Sequence, residues 1–511
     1  MSSPNFALDS HTRRKLGYEL IDIIDRYFDS LPTRPVQLPL EQRSFEPLRD
    51  ALPEIGALDD LGHNPSFGES DELVQFLRTT ADDLIEKGFH VPAANYFGLM
   101  NPTPTYAAVL AEALVAALNP QLATMARSQL ASKIEAETVR WIGERFGWQP
   151  PFDGTFTSGG NEANFSGIAL ALASQFPSAI EDGVATIGAQ PVVYASEEAH
   201  HSLDKSAGLL GLGRRALRRI AVTDRIQMDV GALQRSIRDD RAAGREPFCV
   251  VATAGTTNSG AIDDIPSIAQ VCQREGLWLH LDGAYGAAAV FSDTHRRLVQ
   301  GIELCDSITI DPHKWLAMPF AAGVILTRHP QTLQPAFGVS TPYMPKTAPN
   351  LPIDNFKVSA QWTRRMNSLK LWLTLKLHGR RAYEQHIDRQ MVLASSFADW
   401  IKTSEHFEMA APLAVPILNF RLRNSGTGNN LVKSHLELVD LVTRDGQRWI
   451  SETRVCGGSV LRMMVISYLT GERQLNDLQG ELHRAGTALA TAGPKVHRAE
   501  ARPATRKSFT I

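Results

Sequence analysis

The residues of this chain with the clearest chemical potential are Asp311-Pro312-His313-Lys314, followed by Trp315. The apolar run Ser307-Ile308-Thr309-Ile310 reads as a buried strand leading straight into them. A lysine at the end of such a strand is poorly solvated. Desolvation disfavours its ammonium form and frees an amine that can attack a carbonyl, which is what a Schiff-base lysine needs. A lysine snorkelling from a strand end would have the same local sequence. The difference lies in what else the chain brings to the same place.

Several other stretches bear on that. Thr157-Ser158-Gly159-Gly160-Asn161-Glu162-Ala163-Asn164 reads as a strand-to-helix turn. Its glycines let the backbone curl, its N–H groups and helix dipole make an anion cup, and Ser158 and Asn161 can add side-chain donors. Leu279-His280-Leu281-Asp282-Gly283-Ala284-Tyr285-Gly286 puts a carboxylate at the end of an apolar strand, with small residues after it. A buried carboxylate needs a cationic partner. A protonated pyridine nitrogen is one, and small neighbours leave room for a flat ring; a helix N-cap aspartate is the plainer alternative. Asp282 and Lys314 are 314 − 282 = 32 residues apart, enough for one helix and one strand, so they can sit on neighbouring strands. Ser196-Glu197-Glu198-Ala199-His200-His201-Ser202 follows the run Val192–Ala195. Adjacent histidines cannot both face one metal ion, but one of them can lie over a ring. Thr253-Ala254-Gly255-Thr256-Thr257 ends a further run with hydroxyls suited to a polar ligand.

These stretches need a scaffold that brings strand ends together. From about Tyr106, helical and apolar-strand patterns alternate, which predicts a mostly parallel sheet with helices on both faces and ligands at the carboxyl ends of its strands. Before it, Leu16, Leu20, Ile23, Ile24 and Tyr27 make one apolar helix face, and a second short helix is expected over about Asp71 to Lys87. After an irregular proline-rich stretch, 335–360, expected to be mobile, a long helix is predicted from Trp362 to Ile401 and a smaller α+β unit beyond it. The last twenty residues read as a disordered tail.

The 511 residues, 43% hydrophobic and 21% charged, suit a large enzyme with a sizeable core. A formal net charge of -3 gives no electrostatic case for nucleic acid or a membrane. The four cysteines are far apart, without a C-x-x-C pair, and no apolar run reaches membrane-spanning length. A reduced, cytoplasmic setting is expected.

At this point the chain resembles the group II pyridoxal-phosphate decarboxylases, the aromatic-L-amino-acid decarboxylase family. The resemblance runs from about residue 15 to about residue 490. It rests on Tyr96-Phe97-Gly98 with Asn101-Pro102, Ser158–Asn164, Ser196–Gly208, Thr253–Thr257, His280–Gly286, Asp311–Trp315 and Ser368-Leu369-Lys370-Leu371-Trp372, all in the family's order. It implies the type I fold of pyridoxal-phosphate enzymes in four parts. These are an N-terminal helical arm (1–105), a large α/β domain (106–395), a small C-terminal α+β domain (396–490) and the tail (491–511).

The resemblance also implies roles. Lys314 carries pyridoxal phosphate through its amine, Asp282 holds the pyridine nitrogen protonated, and His200 stacks on the ring with His313 preceding the lysine. Gly160 and Asn161 match the phosphate cup, Thr256 and Ala284 match positions around the ring, and Arg462 matches a C-terminal-domain arginine. Leu99 and Met100 match the substrate pocket, and are aliphatic where animal members carry aromatic residues. Members are homodimers whose N-terminal arms wrap the partner, with active sites at the interface. The implied reaction is decarboxylation of an L-amino acid, aromatic or related, to an amine.

One departure opens an alternative. Family members carry a loop tyrosine that reprotonates the substrate carbon. Here Asp354-Asn355-Phe356-Lys357 falls where it is expected, and the loop's own tyrosine is Tyr343. Related aldehyde synthases have phenylalanine at that position and yield an aldehyde, ammonia and peroxide. A cofactor-binding scaffold without activity is a third reading, opposed by the presence of Lys314, Asp282 and His200 together.

Overall fold

The structure, a computed structural model, describes residues 8–43, 70–343, 352–423 and 426–492. Helix α1 (Ser10–Ser30), capped by the Asp9 carboxylate, packs along α2 (Ser70–Lys87). Arg78 bonds both oxygens of Glu19, and Lys15 meets Asp71 at 2.8 Å. Ile23 turns inward, but Tyr18, Leu20, Ile21, Phe76 and Leu84 remain exposed. Of the apolar face expected at the start of the chain, Ile23 is buried, Leu16, Ile24 and Tyr27 are partly buried and Leu20 is exposed, so the chain itself covers most of that face.

Helices α3 (Tyr106–Leu118) and α4 (Gln129–Arg145) lead into β1 (Asp153–Thr157) and α5 (Gly160–Gln175). Alternation follows, through α6 (Ser178–Asp182), β2 (Pro191–Ser196), α7 (Ser202–Leu209), β3 (Leu217–Ile220), α8 (Val230–Ala242), β4 (Glu246–Thr253), α9 (Ile265–Glu275), β5 (Trp278–Asp282), β6 (Ser307–Ile310) and β7 (Gly323–Thr327). The seven strands lie in the order β1-β7-β6-β5-β4-β2-β3. Only β7 runs against the rest, antiparallel to β6 and to β1. Every residue of β2, β5, β6 and β7 is buried, because helices cover both faces, and their sequences are accordingly near-continuous apolar runs. Asp282 pairs across to Thr309, which places the ends of β5 and β6 side by side as the 32-residue spacing allows.

After α10 (Leu333–Phe337), helix α11 runs over Ser368–Thr403 rather than starting at Trp362, and it is broken at Gly379, whose φ of 74° is left-handed. It serves two cores. Leu371 and Ile387 pack with the large sheet, while Leu393, Phe397 and Ile401 pack with a second, antiparallel sheet. That sheet has the order β10-β11-β9-β8, built from β8 (Phe407–Met409), β9 (Ile417–Leu422), β10 (Ser451–Val455) and β11 (Gly458–Met464). Helices α12 (Asn429–Thr443) and α13 (Glu472–Ala492) cover it. Among the described residues no helix is long and apolar enough to cross a membrane. The tail expected from 491 lies, from 493 on, outside the described residues, as do 44–69 of the expected arm and 344–351 of the expected mobile stretch.

Candidate active site

The motifs converge on the carboxyl edge of the large sheet. At the end of β6, Lys314 Nζ lies 3.1 Å from Asp311 Oδ2, and its side chain is 22% exposed. The sequence predicts an amine kept reactive by desolvation; the structure adds a buried carboxylate beside it. His313 accepts a bond from the Ala322 N–H at Nδ1 (3.1 Å), its ring 5.0 Å from that of Phe320. Burial pulls the His313 pKa below the ordinary imidazole range. The turn that carries Phe320 is itself clamped: the fully buried Lys370 amine donates to the carbonyls of Pro319 (3.3 Å) and Ala321 (2.8 Å).

On β5, Asp282 is 5% exposed. Its Oδ1 accepts from the Ala284 N–H at 3.2 Å and its Oδ2 from Asn164 Nδ2 at 2.9 Å. Ala284 in turn accepts the Asp311 N–H at 3.0 Å, tying the ends of β5 and β6 together. At the end of β2, His200 presents an exposed ring whose Nδ1 accepts the Ser202 N–H at 3.1 Å. A hydrogen bond from the Cys456 N–H to Glu198 Oε1 (2.8 Å) brings the β10–β11 hairpin against this loop.

The glycine cup forms where β1 enters α5. Gly159 has φ +147°, and a Cβ on Gly160 would stand 2.5 Å from Asp311 Oδ2, so the turn fits against the lysine strand only without side chains. Among the described residues the N–H groups of Gly160, Asn161 and Glu162 meet no acceptor, as the first turn of a helix leaves them. Asn161 is exposed beside them. Ser158 differs from expectation: its N–H and hydroxyl are both spent on Glu162 Oε2, at 2.8 and 2.6 Å. Thr256 likewise turns into its own loop, bonded to Ser259 Oγ at 2.6 Å.

Buried polar atoms without partners among the described residues gather at the same edge: Ser196 Oγ, Thr253 Oγ1 and Asp311 Oδ1 end or follow β2, β4 and β6. An anion cup, an amine, a buried carboxylate and orphaned acceptors together fit an anionic, carbonyl-bearing ring compound. The expected substrate pair is split. Met100 joins the main core, whereas Leu99 is 48% exposed. Tyr343 is exposed, its ring 6.2 Å from Trp362. Arg462 is fully buried with no carboxylate partner among the described residues, donating to the Gly98 carbonyl at 3.0 Å. Burial pulls its pKa down to about 10.

Residues 62–423 match the model of the pyridoxal-dependent decarboxylase conserved domain. The chain belongs to that family. It is 30% identical over 501 residues to an aromatic-L-amino-acid decarboxylase of Bacillus atrophaeus, covering 97% of this chain and 99% of the relative. An L-2,4-diaminobutyrate decarboxylase of Acinetobacter baumannii is 29% identical over 433 residues, 81% and 84% of the two chains. The crystal structure of Catharanthus roseus tryptophan decarboxylase in complex with L-tryptophan superposes with a TM-score of 0.82 at 25% identity, covering 94% of this chain and 99% of that one. This decarboxylase is therefore a pyridoxal-phosphate-dependent carboxy-lyase of the type I fold. Asn164, His280 and Ser307 lie within the motifs but carry no role in them; a polar side chain in an otherwise apolar strand is the signal that His280 and Ser307 offer, and Asn164 offers none.

Proposed function

We propose that this decarboxylase removes the α-carboxyl group of an L-amino acid, aromatic or related, and releases the corresponding amine and carbon dioxide. The observation that carries the reading is the meeting of Lys314, Asp282 and the Gly160 cup at one sheet edge, with His200 on the neighbouring loop. When bound, pyridoxal phosphate supplies the electron sink for the pair left behind by carbon dioxide. Lys314 holds it through the amine, and the Asp282 carboxylate keeps a proton on its ring nitrogen. The N–H groups of Gly160 and Asn161 take the phosphate, and His200 covers a ring face. Asp311 receives the Lys314 ammonium whenever the amine is not engaged. Phe320, 55% exposed beside His313, offers an apolar wall and supports a substrate with an aromatic side chain.

Tyr343 is the proposed proton donor to the substrate carbon. The aldehyde-synthase alternative rests on Phe356, yet that ring is 3% exposed and packs on Trp362 at 4.7 Å. Its neighbours are pinned as well: Asp354 Oδ1 accepts the Met125 N–H, and Asn355 Nδ2 donates to the Leu122 carbonyl. A phenylalanine fixed inside its own subunit is accounted for by packing. The exposed apolar side chains of Tyr18, Leu20 and Ile21 on α1 and of Phe76 and Leu84 on α2 support a homodimer joined through the N-terminal helices; sedimentation of the full chain as a monomer would remove that part. The deciding experiment is a panel of L-amino acids scored for amine, carbon dioxide and oxygen uptake. Amine equal to carbon dioxide, without oxygen consumption and best for aromatic substrates, is expected. Stoichiometric peroxide would overturn the product, and preference for acidic or diamino substrates would overturn the class.

A further inference from the structure

Asp282 is backed by a file of buried polar side chains whose donors all point one way. Trp278 Nε1 donates to Ser307 Oγ at 2.9 Å, and Ser307 Oγ lies 2.8 Å from His280 Nδ1. His280 Nε2 is 3.1 Å from Asn164 Oδ1, with Thr309 Oγ1 farther off at 3.4 Å. Asn164 Nδ2 then donates to Asp282 Oδ2 at 2.9 Å and to Ser202 Oγ at 3.1 Å. Trp278, Ser307, His280, Asn164 and Asp282 are all at most 5% exposed.

Only one assignment of protons satisfies this file. A carboxylate accepts, so Asn164 turns its amide nitrogen to Asp282 and its oxygen to His280. An amide oxygen accepts, so His280 carries its proton on Nε2. Its Nδ1 is then the acceptor for the Ser307 hydroxyl, which itself accepts from the indole N–H. That tautomer requires a neutral imidazole, and burial does hold the His280 pKa down, at about 4. Aligned hydrogen bonds of this kind polarise one another in a low-dielectric interior. The backbone makes room for them: Gly167 lies inside α5, where glycine costs helix stability, and a Cβ there would stand 2.5 Å from His280 Nδ1.

We infer that Asn164, His280 and Ser307 are positioning residues, a one-way hydrogen-bond file that fixes the Asp282 carboxylate in the orientation from which it holds the cofactor's ring nitrogen protonated. The inference rests on the role proposed for Asp282. Without the file, the side chain of Asp282 keeps, among the described residues, only the Ala284 N–H, a single partner about which it can swing.

The test uses holoenzyme loaded with pyridoxal phosphate carrying nitrogen-15 in the ring, in the wild type and in Asn164→Leu, His280→Phe, Ser307→Ala, His280→Gln and Asp282→Asn. The nitrogen-15 shift reports ring protonation; kcat, KM and the affinity of the apoenzyme for the cofactor are measured beside it. Loss of the bond to the charged group in Asn164→Leu should lower kcat and cofactor affinity each about tenfold or more, with KM little changed. The ring-nitrogen signal should move toward the unprotonated form in the order Asn164→Leu, His280→Phe, Ser307→Ala, which is the order of distance from Asp282. His280→Gln, which keeps a donor, should recover part of the loss. Ser307→Ala deletes one hydroxyl and leaves the packing in place, so the outcome does not hang on the larger lesions folding. A protonated signal and a kcat within about twofold of wild type in both Ser307→Ala and His280→Phe overturn the file. If Asp282→Asn also keeps the protonated signal, the role of Asp282 has failed; if Asp282→Asn alone loses it, only the file has.

Discussion

Lys314 Nζ lies 3.1 Å from Asp311 Oδ2, a carboxylate only three residues earlier and almost wholly buried, while Asp311 Oδ1 meets no partner among the described residues. The same oxygen that receives the amine faces Gly160 across the anion cup. Amine and cup are thus coupled through one side chain, and the consequences can be separated by mutation.

Lys314→Ala removes the amine and leaves the cup. Borohydride treatment followed by peptide mass analysis should find no cofactor bonded to the chain, and turnover should fall on the order of a thousandfold or more. Covalent cofactor retained at another lysine, with activity, would show that this strand end has been misassigned.

Gly160→Ala keeps the amine and disturbs the cup. Its Cβ would meet Asp311 Oδ2 at 2.5 Å, an overlap that costs about 1–3 kcal/mol to relieve. Cofactor affinity should drop about tenfold or more, since 1.4 kcal/mol is one decade. Gly17→Ala, with nothing within 4 Å of its Cβ inside α1, is the control. It should leave affinity unchanged and stabilise the helix by about 0.5–1 kcal/mol. Equal effects of the two on cofactor affinity, measured by titrating apoenzyme, would remove the cup from the site.

The large sheet is legible because its strands are buried on both faces, so the apolar run Ser307–Ile310 alone marks the bounds of β6. Strand β10, Ser451–Val455, offers no such run, since most of its residues stay partly exposed at a sheet edge, and the short edge strand β8 offers none either. The predicted start of α11 at Trp362 is early: that residue is apolar because it packs on Phe356, six residues before the helix begins at Ser368. At the site, residues that end strands announced themselves. The bond between His280 and Asn164 spans 116 positions, and no local pattern encodes it. Glu162 Oε2, which accepts the Ser158 hydroxyl, is likewise held by Gln361 Nε2 from 199 positions away.

Two buried histidines set an acid limit on the fold. His280 and His435 are fully buried, and burial holds each near a pKa of about 4. His435 Nε2 must stay bare, because it accepts the Leu422 N–H at 3.2 Å. In the unfolded chain both titrate near 6.5. Between about pH 6.5 and 4 the unfolded chain therefore binds protons that the folded one refuses, so stability is full above 6.5 and is lost as pH falls toward 4. Each ring contributes on the order of 3 kcal/mol across that window. Urea midpoints should fall from pH 7 to pH 5, and less steeply in His435→Gln. An unchanged slope in that variant would mean that His435 is not kept neutral by the fold.

Tyr343 and Phe356 flank the same indole: Trp362 lies 6.2 Å from the Tyr343 ring and 4.7 Å from the Phe356 ring. Tyr343 is 73% exposed and Phe356 3%, which divides their roles. An exposed phenol at the edge of a loop can be carried to a substrate, whereas a buried ring pinned through Asp354 and Asn355 cannot move without unpacking. Tyr343→Phe should slow amine release about a hundredfold, the usual scale of a lost general acid, and raise the share of aldehyde and peroxide. Cofactor affinity should not change. Phe356→Tyr should leave the product ratio as it was and lower stability by about 1–3 kcal/mol, because its hydroxyl would be buried without a partner. The measurement is simultaneous assay of amine, aldehyde, peroxide and oxygen for both variants. If Phe356→Tyr raises the amine share while Tyr343→Phe is silent, the proton donor belongs at 356 and the aldehyde reading regains its ground.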